Sequence, residues 1–135
     1  MANIRELQVG DSLPSVELEP VSRIDLIKYA GASGDFNPIH TIDKAAEKAG
    51  LPGIIAHGMW TMGNMSKLFT TYIEEGFVQK FTNRFSGMVF LGDVVTIKAE
   101  LKEKQDQDLV FKVEAVKQDG KTAAKGKVTF RLYKN

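Results

Sequence analysis

The amino-acid sequence predicts an α+β fold in which one antiparallel sheet packs against helices. In the first half of the chain, apolar residues recur every three or four positions, as on one face of a helix. From Phe77 onward they alternate with polar residues, as in strands with one buried face. Helices and strands segregated in this way are typical of α+β layering. The 135 residues have the length of a single domain, residues 1–135.

Two short helices are predicted first. Ser22, followed three residues later by Asp25, resembles a capping box, and the apolar positions behind it predict a helix over about 22–32. Asp43 stands just before a run of good helix formers that is closed by Gly50, a residue that suits the position past a helix end. This run predicts a short second helix.

A third and longer helix is predicted from near Gly58 to about Glu75, with Gly76 as its stop. Five residues at three- and four-residue spacing form its predicted apolar face: Met59, Met62, Ser66, Phe69 and Ile73. Because apolar residues also occupy its other faces, we expect this helix to be buried nearly all round.

Strands are predicted in the second half of the chain. Apolar and polar residues alternate in three runs, 95–101, 111–115 and 128–132, and the turn Asp119-Gly120 separates the last two. These runs predict a three-stranded meander, and residues 77–85 predict a further strand.

Composition excludes several classes of protein. Hydrophobic residues make up 43% and charged residues 26% of the chain, which fits neither a disordered chain nor a membrane protein. The 18 Lys and Arg against 17 Asp and Glu give no general attraction for nucleic acid or anionic lipid. The absence of Cys excludes disulfides and thiolate nucleophiles and is compatible with a reducing compartment, so we expect a cytoplasmic protein.

A group of polar residues after the first predicted helix has the chemistry for proton transfer. Asp35 lies five positions before His40, and Pro38 stiffens the backbone between them, so a rigid turn can aim both side chains at one point. A carboxyl group and an imidazole that converge in an apolar site can divide acid and base roles. Asn37 then orients other groups, although Asp, Asn and Pro are also ordinary turn residues.

A second group lies at the predicted start of the long helix. Free amides and the positive end of the helix dipole there can stabilise an oxyanion, and Gly58 lets a carbonyl approach closely. Gly58 alone is equally a tolerated N-cap, and we expect His57 to shape the loop rather than to react. Ser66 either binds a ligand or bonds back to the Met62 carbonyl. With two His and no Cys, the sequence predicts no metal site.

Two stretches carry a resemblance to a known family. YAGASGDFNPIH at 29–40 and IAHGM at 55–59 resemble the MaoC-like hydratase/dehydratases, which include (R)-specific enoyl-CoA hydratases and (R)-3-hydroxyacyl-ACP dehydratase subunits. The resemblance extends to VGD at 9–11 and to RFSGMVFLGD at 84–93, where Met88 occupies a position that is Pro in many members. It implies the hotdog fold, an antiparallel sheet wrapped around a long central helix, paired into a dimer.

The resemblance also implies roles for individual residues. Asp35 and His40 would be the catalytic pair, Asn37 a supporting residue and the Gly58 amide the donor to a thioester carbonyl. Ser66 falls where some members place a site serine.

The activity implied is the reversible hydration of trans-2-enoyl thioesters to (R)-3-hydroxyacyl thioesters in fatty-acid metabolism, with no cofactor. The substrate would be an acyl-CoA or acyl-ACP thioester, and the chain a homodimer or half of a heterodimer with a related subunit. Two alternatives remain open: a hotdog-fold thioesterase and a non-catalytic subunit that binds acyl thioesters.

Overall fold

A computed structural model of the chain describes residues 3–134. Its helices are α1 (Arg23–Ser33), α2 (Asp43–Lys48), α3 (Gly58–Met65) and α4 (Lys67–Thr70), with short 3-10 turns at Ile4–Glu6 and Pro38–His40. Its strands are β1 (Val16–Glu17), β2 (Gly76–Phe85), β3 (Val95–Gln105), β4 (Asp108–Lys117) and β5 (Thr122–Leu132).

The five strands form one antiparallel sheet in the order β1-β3-β4-β5-β2. Strands β3, β4 and β5 form the predicted meander, and β5 follows β4 through the predicted turn, where Gly120 has a φ of 84° and its amide bonds to the Lys117 carbonyl. Helices α3 and α4 pack on one face of this sheet. The predicted α+β fold with an antiparallel sheet is therefore confirmed.

The core lies between the sheet and these helices, and the predicted alternation identifies its residues. On β3, Val95, Ile97, Ala99 and Leu101 are buried, and the polar residues between them face away from the core. The apolar positions predicted on β4 and β5 are buried in the same way. Burial of every second residue is what a sheet with one covered face requires.

The helix near Ser22 and the short helix closed by Gly50 are confirmed. Ser22 Oγ accepts a hydrogen bond from the Asp25 amide at 3.2 Å, which caps α1. Helix α2 begins at Asp43 itself rather than after it, and Gly50 follows its end with a φ of 82°.

The prediction of one long helix to about Glu75 is wrong in its extent. The helix is interrupted at Ser66, where the hydroxyl donates to the Gly63 carbonyl at 2.5 Å and so competes with the backbone ladder. The expectation that it is buried all round is also wrong. Of its predicted apolar face only Phe69 is fully buried. Met59 is more than half exposed because α3 packs on the sheet from one side, and Ile73, which lies beyond the end of α4, is also more than half exposed.

No helix within residues 3–134 is long and apolar enough to cross a bilayer.

Candidate active site

The turn that carries Asp35 is built from local contacts after α1. Gly34 ends the helix with a φ of 77°, a left-handed conformation that glycine adopts without strain. Asn37 Oδ1 accepts a bond from the Ile39 amide, and the Asn37 amide bonds to Asp35 Oδ1, both at 3.2 Å. Asn37 is exposed. Its turn role is therefore established, and an orienting role toward a ligand stays a prediction.

The structure brings Asp35 and His40 together, as the sequence predicted. Asp35 Oδ2 lies 3.9 Å from His40 Nε2. This separation is too long for a direct hydrogen bond, but one water oxygen can lie ~2.8 Å from each atom. The Asp35 side chain is 51% exposed because its turn lies at the surface, whereas His40 is buried.

His40 is held in one orientation by the backbone of the second stretch. Its Nδ1 lies 2.7 Å from the Ile55 carbonyl oxygen. Because a carbonyl oxygen can only accept, Nδ1 carries the proton of the neutral ring. The other nitrogen, Nε2, is then an unprotonated acceptor that faces the carboxylate of Asp35. This arrangement can take a proton from a water held between the two groups.

His57 contacts both members of the Asp35–His40 pair. Its ring stacks on that of His40 with 3.8 Å between centroids, and Tyr29 lies edge-on at 4.8 Å. His57 Nε2 lies 3.1 Å from the Asp35 backbone carbonyl, so it donates a bond that fixes the turn. Burial lowers the pKa of His57, the bond to the Asp35 carbonyl opposes this effect, and His40 lowers the pKa further. His57 is therefore a neutral ring that shapes the loop.

Gly58 is the first residue of α3, as predicted, with His57 at the N-cap. Like the other first amides of a helix, its N–H has no intrahelical partner, and within residues 3–134 it donates to no other group. A Cβ at this position would lie 3.2–3.4 Å from three atoms of the Phe85 ring. The glycine therefore leaves an amide free beside the edge strand β2.

Ser66 stands apart from this group. Its hydroxyl bonds to Gly63 and not to the Met62 carbonyl, which corrects the alternative drawn from the sequence. It lines a cavity of about 360 Å³ whose other walls are mostly apolar: Phe69, Thr70, Ile73, Gly76, Phe77, Val78, Phe130 and Tyr133. The structure thus places Ser66 in an apolar cavity and not in the Asp35–His40 cluster.

Asp35, His40 and His57 offer ligand atoms that lie within 4.8 Å of one another. Zinc needs such nitrogen atoms at about 2.0–2.1 Å. The two imidazoles are stacked at 22°, so their in-plane lone pairs run side by side rather than toward one centre. Two rings stacked in this way are poorly oriented to bind one metal ion together.

The sequence analysis missed three contributors to the site. Tyr29 and the Ile55 carbonyl lie inside the two matched stretches, so the motif itself was the available signal. Phe85 lies in the stretch 84–93 that also carries the resemblance, but its contact with Gly58 is visible only in the tertiary structure. A cavity of about 540 Å³ between α1 and α3 is lined by Tyr29, Trp60 and others but by neither Asp35 nor His40.

Comparisons with known proteins show which family the chain resembles. The sequence profile of the MaoC like domain matches residues 6–123. The 3-hydroxybutyryl-CoA dehydratase of Methylorubrum extorquens is 33% identical over 106 residues, which cover 73% of this chain and 62% of that protein. The fatty acid synthase beta subunit TOXC of Cochliobolus carbonum is 39% identical over 75 residues, 53% of this chain and 4% of that protein.

Among solved structures, the R-hydratase PhaJ1 of Pseudomonas aeruginosa superimposes with a TM-score of 0.88 at 26% identity, covering 97% of this chain and 85% of that one. The chain spans less than two thirds of the length of the curated relatives it matches. Nearly all of the chain superimposes on the R-hydratase structure. Since the matched residues 6–123 contain both stretches of the site, the chain belongs to the MaoC-like domain family and has its hotdog fold.

Proposed function

We propose that the protein reversibly hydrates trans-2-enoyl thioesters to (R)-3-hydroxyacyl thioesters. The observation that carries this proposal is the placement of the His40 ring, whose Nδ1 lies 2.7 Å from the Ile55 carbonyl oxygen and whose Nε2 faces the Asp35 carboxylate at 3.9 Å across a gap that fits one water. Support comes from the family and from the names of relatives, one of which is a 3-hydroxybutyryl-CoA dehydratase.

In the forward direction, the water between Asp35 and His40 adds its oxygen to C3 of the enoyl thioester and loses one proton to His40 Nε2. The double bond moves to give an enolate, whose oxygen accepts a hydrogen bond from the Gly58 amide at the start of α3. The imidazolium, stabilised by the Asp35 carboxylate, then returns the proton to C2. One water is consumed, no electrons are exchanged, and no cofactor is needed.

The apolar cavity beside Ser66 suits the acyl chain of such a substrate. Aromatic and aliphatic side chains form most of its wall, and Ser66 adds a hydroxyl group to the lining. Ser66 is eight residues beyond Gly58 along the helical segment, which corresponds to roughly 12 Å at the usual rise per residue. Ser66 therefore contacts the acyl chain of the substrate beyond the reacting carbons and does not contact the thioester group.

The direct test mixes purified protein with crotonyl-CoA and with longer 2-enoyl-CoA thioesters and follows the loss of the conjugated-enoyl absorbance. We expect absorbance to fall without release of free thiol. Release of thiol in step with the absorbance change would show the alternative, a thioesterase. If purified protein left every enoyl thioester unchanged but bound it, the non-catalytic alternative would replace this proposal.

We further propose that the protein works as a homodimer. Strand β2 lies at one end of the sheet with ten residues and an unpaired edge, and Phe77, Val78 and Phe85 on it are exposed. A long apolar edge of this kind favours pairing with another chain, and a two-fold axis closes it. Light scattering should give the mass of two chains at assay concentration. Full activity at the mass of one chain would contradict the dimer, and activity only with a second, related chain would show a heterodimer.

A further inference from the structure

We propose that Asp93 and Lys117 are positioning residues that hold His40 and Gly58 in place through the backbone of residues 88–90. The inference rests on the proposed function of His40 and Gly58, and it assigns a role to two side chains that touch neither. The connection consists of three consecutive sets of contacts, all within the described chain.

The first contact is the ion pair itself. Lys117 Nζ lies 3.0 Å from Asp93 Oδ2, and only about a tenth of each side chain is exposed. Asp93 also accepts bonds from Gln118 Nε2 at 2.9 Å and from the Phe90 amide at 2.8 Å. Burial alone would raise the pKa of Asp93, but the bonds from Gln118, Phe90 and Lys117 outweigh it and lower the pKa. The carboxylate is therefore charged and fully engaged.

The second set of contacts joins this pair to the segment that follows β2. Lys117 Nζ donates to the Met88 carbonyl at 3.0 Å, and Asp93 Oδ2 accepts from the Phe90 amide. One ion pair thus holds the backbone on both sides of Val89. Met88 takes part through its carbonyl alone, and its side chain is half exposed. A proline, which many members of the family carry at this position, would offer the same acceptor.

The third set of contacts joins the segment to the site. The Val89 carbonyl accepts a bond from the Ala56 amide at 2.8 Å, and Phe90 forms an antiparallel bridge with Ile55. The Ile55 carbonyl is the group that fixes the proton on His40 Nδ1. Gly58, the first residue of α3, follows Ala56 by two residues.

A shift of residues 88–90 therefore moves the Ile55 carbonyl and the start of α3 together. Misplacement by about 1 Å of a group far from the chemistry can cost on the order of 10²-fold in rate. The charge pair is suited to prevent such a shift, because a buried and hydrogen-bonded pair is far more rigid than an exposed one.

The test compares three variants with the wild-type protein. Asp93→Asn keeps the size of the side chain but removes its charge, Lys117→Met removes the donor to Met88, and Lys117→Arg keeps the charge as a conservative rescue. The matched control is Asp108→Asn, which breaks the more exposed pair between β4 and β5 that Asp108 forms with Arg131 at 2.8 Å. Each variant is assayed for kcat and KM, and the His40 Nδ1 proton is followed by NMR.

We expect Asp93→Asn and Lys117→Met to lower kcat about 10-fold with little change in KM, in keeping with misplacement of a catalytic group. The His40 Nδ1 proton signal should shift or broaden in both variants. Lys117→Arg should recover most of the turnover, and Asp108→Asn should leave turnover and the signal unchanged. Should either single variant fail to fold, the double variant Asp93→Asn/Lys117→Met leaves no buried charge unpaired and replaces it in the comparison.

Folded variants with wild-type kcat and an unchanged His40 signal would overturn the inference. A signal that shifts in a protein that hydrates no enoyl thioester would contradict the proposed function and leave the positioning role intact. Failure of the positioning role and failure of the proposed function therefore give different results.

Discussion

The sheet and the site are stabilised in different ways. In the meander of β3, β4 and β5, two ladders of backbone hydrogen bonds, each with one register shift, join strands whose core-facing apolar residues are buried. In the site, residues 34–40 and 55–58 are joined by single contacts such as the 2.7 Å bond from His40 to Ile55, and the Asp35 turn is exposed. A change in the sheet should therefore alter stability, and a change in the site should alter turnover in a folded protein.

The largest expected effect is the loss of turnover when either residue of the proposed catalytic pair is replaced. Asp35→Asn and His40→Gln should each lower the rate of hydration at least ~10²-fold, because each removes one of the two groups that hold and deprotonate the water. The double variant should be little worse than either single variant, since the two groups act as a unit. Steady-state assays with crotonyl-CoA measure the effect, and circular dichroism checks that the variants are folded. Near-wild-type turnover in either folded variant would remove that residue from the pair.

The opposite behaviour is expected in the sheet. Leu101 on β3 has no exposed surface and is paired in register with Phe111. Leu101→Ala should lower the free energy of unfolding by roughly 2–5 kcal/mol, because a cavity replaces buried methyl groups. Turnover per folded molecule should stay unchanged. Urea denaturation followed by fluorescence, with activity measured below the transition, tests both statements, and a large loss of turnover at unchanged stability would contradict the division between sheet and site.

The same difference explains how much the sequence could predict. On β3, β4 and β5 the apolar residues that alternate in the sequence are the residues that are buried, so the core residues of the sheet were predictable. The pairing of Asp35 with His40 was predictable because Pro38 restricts the backbone of the four residues between them. The interruption of the helix at Ser66 was not, because it depends on whether one hydroxyl bonds to a ligand, to Met62 or to Gly63. His57 and His40 lie in two separate segments that no sequence periodicity links, so only the tertiary structure shows that their rings stack.

A smaller effect on turnover is expected at Gly58, where the edge of the sheet meets the site. Gly58→Ala places a Cβ 3.2 Å from the Phe85 ring, a contact that forces the ring or the start of α3 to move by a few tenths of an ångström. The amide remains, so the loss of turnover should be less than the ~10²-fold cost of removing an oxyanion donor.

The double variant Gly58→Ala/Phe85→Leu separates two causes of this loss. If the smaller side chain restores turnover, crowding against β2 was the cause. If turnover stays low while the melting temperature recovers, the methyl group itself blocks the approach of the thioester carbonyl. Wild-type turnover in Gly58→Ala alone would contradict any need for an unobstructed amide.

The smallest expected effect is a dependence of stability on pH that arises from His57. Its pKa in the folded protein is below the value of 6.5 expected for the unfolded chain, chiefly because the ring is buried. As the pH falls below about 6.5, the unfolded chain therefore binds a proton that the folded protein does not, and the free energy of unfolding decreases, by at most about 1.4 kcal/mol per pH unit. His57→Gln keeps a donor for the Asp35 carbonyl but does not titrate, so its stability should decline less between pH 6.5 and 5 than that of the wild-type protein.

Chemical denaturation at several pH values gives the stability of both proteins as a function of pH. Comparing the two curves removes the contributions of other groups, such as Asp93, that both proteins share. Parallel curves would mean that His57 takes up its proton as readily in the folded protein as in the unfolded chain, and that the ring stacked on His40 is not held neutral.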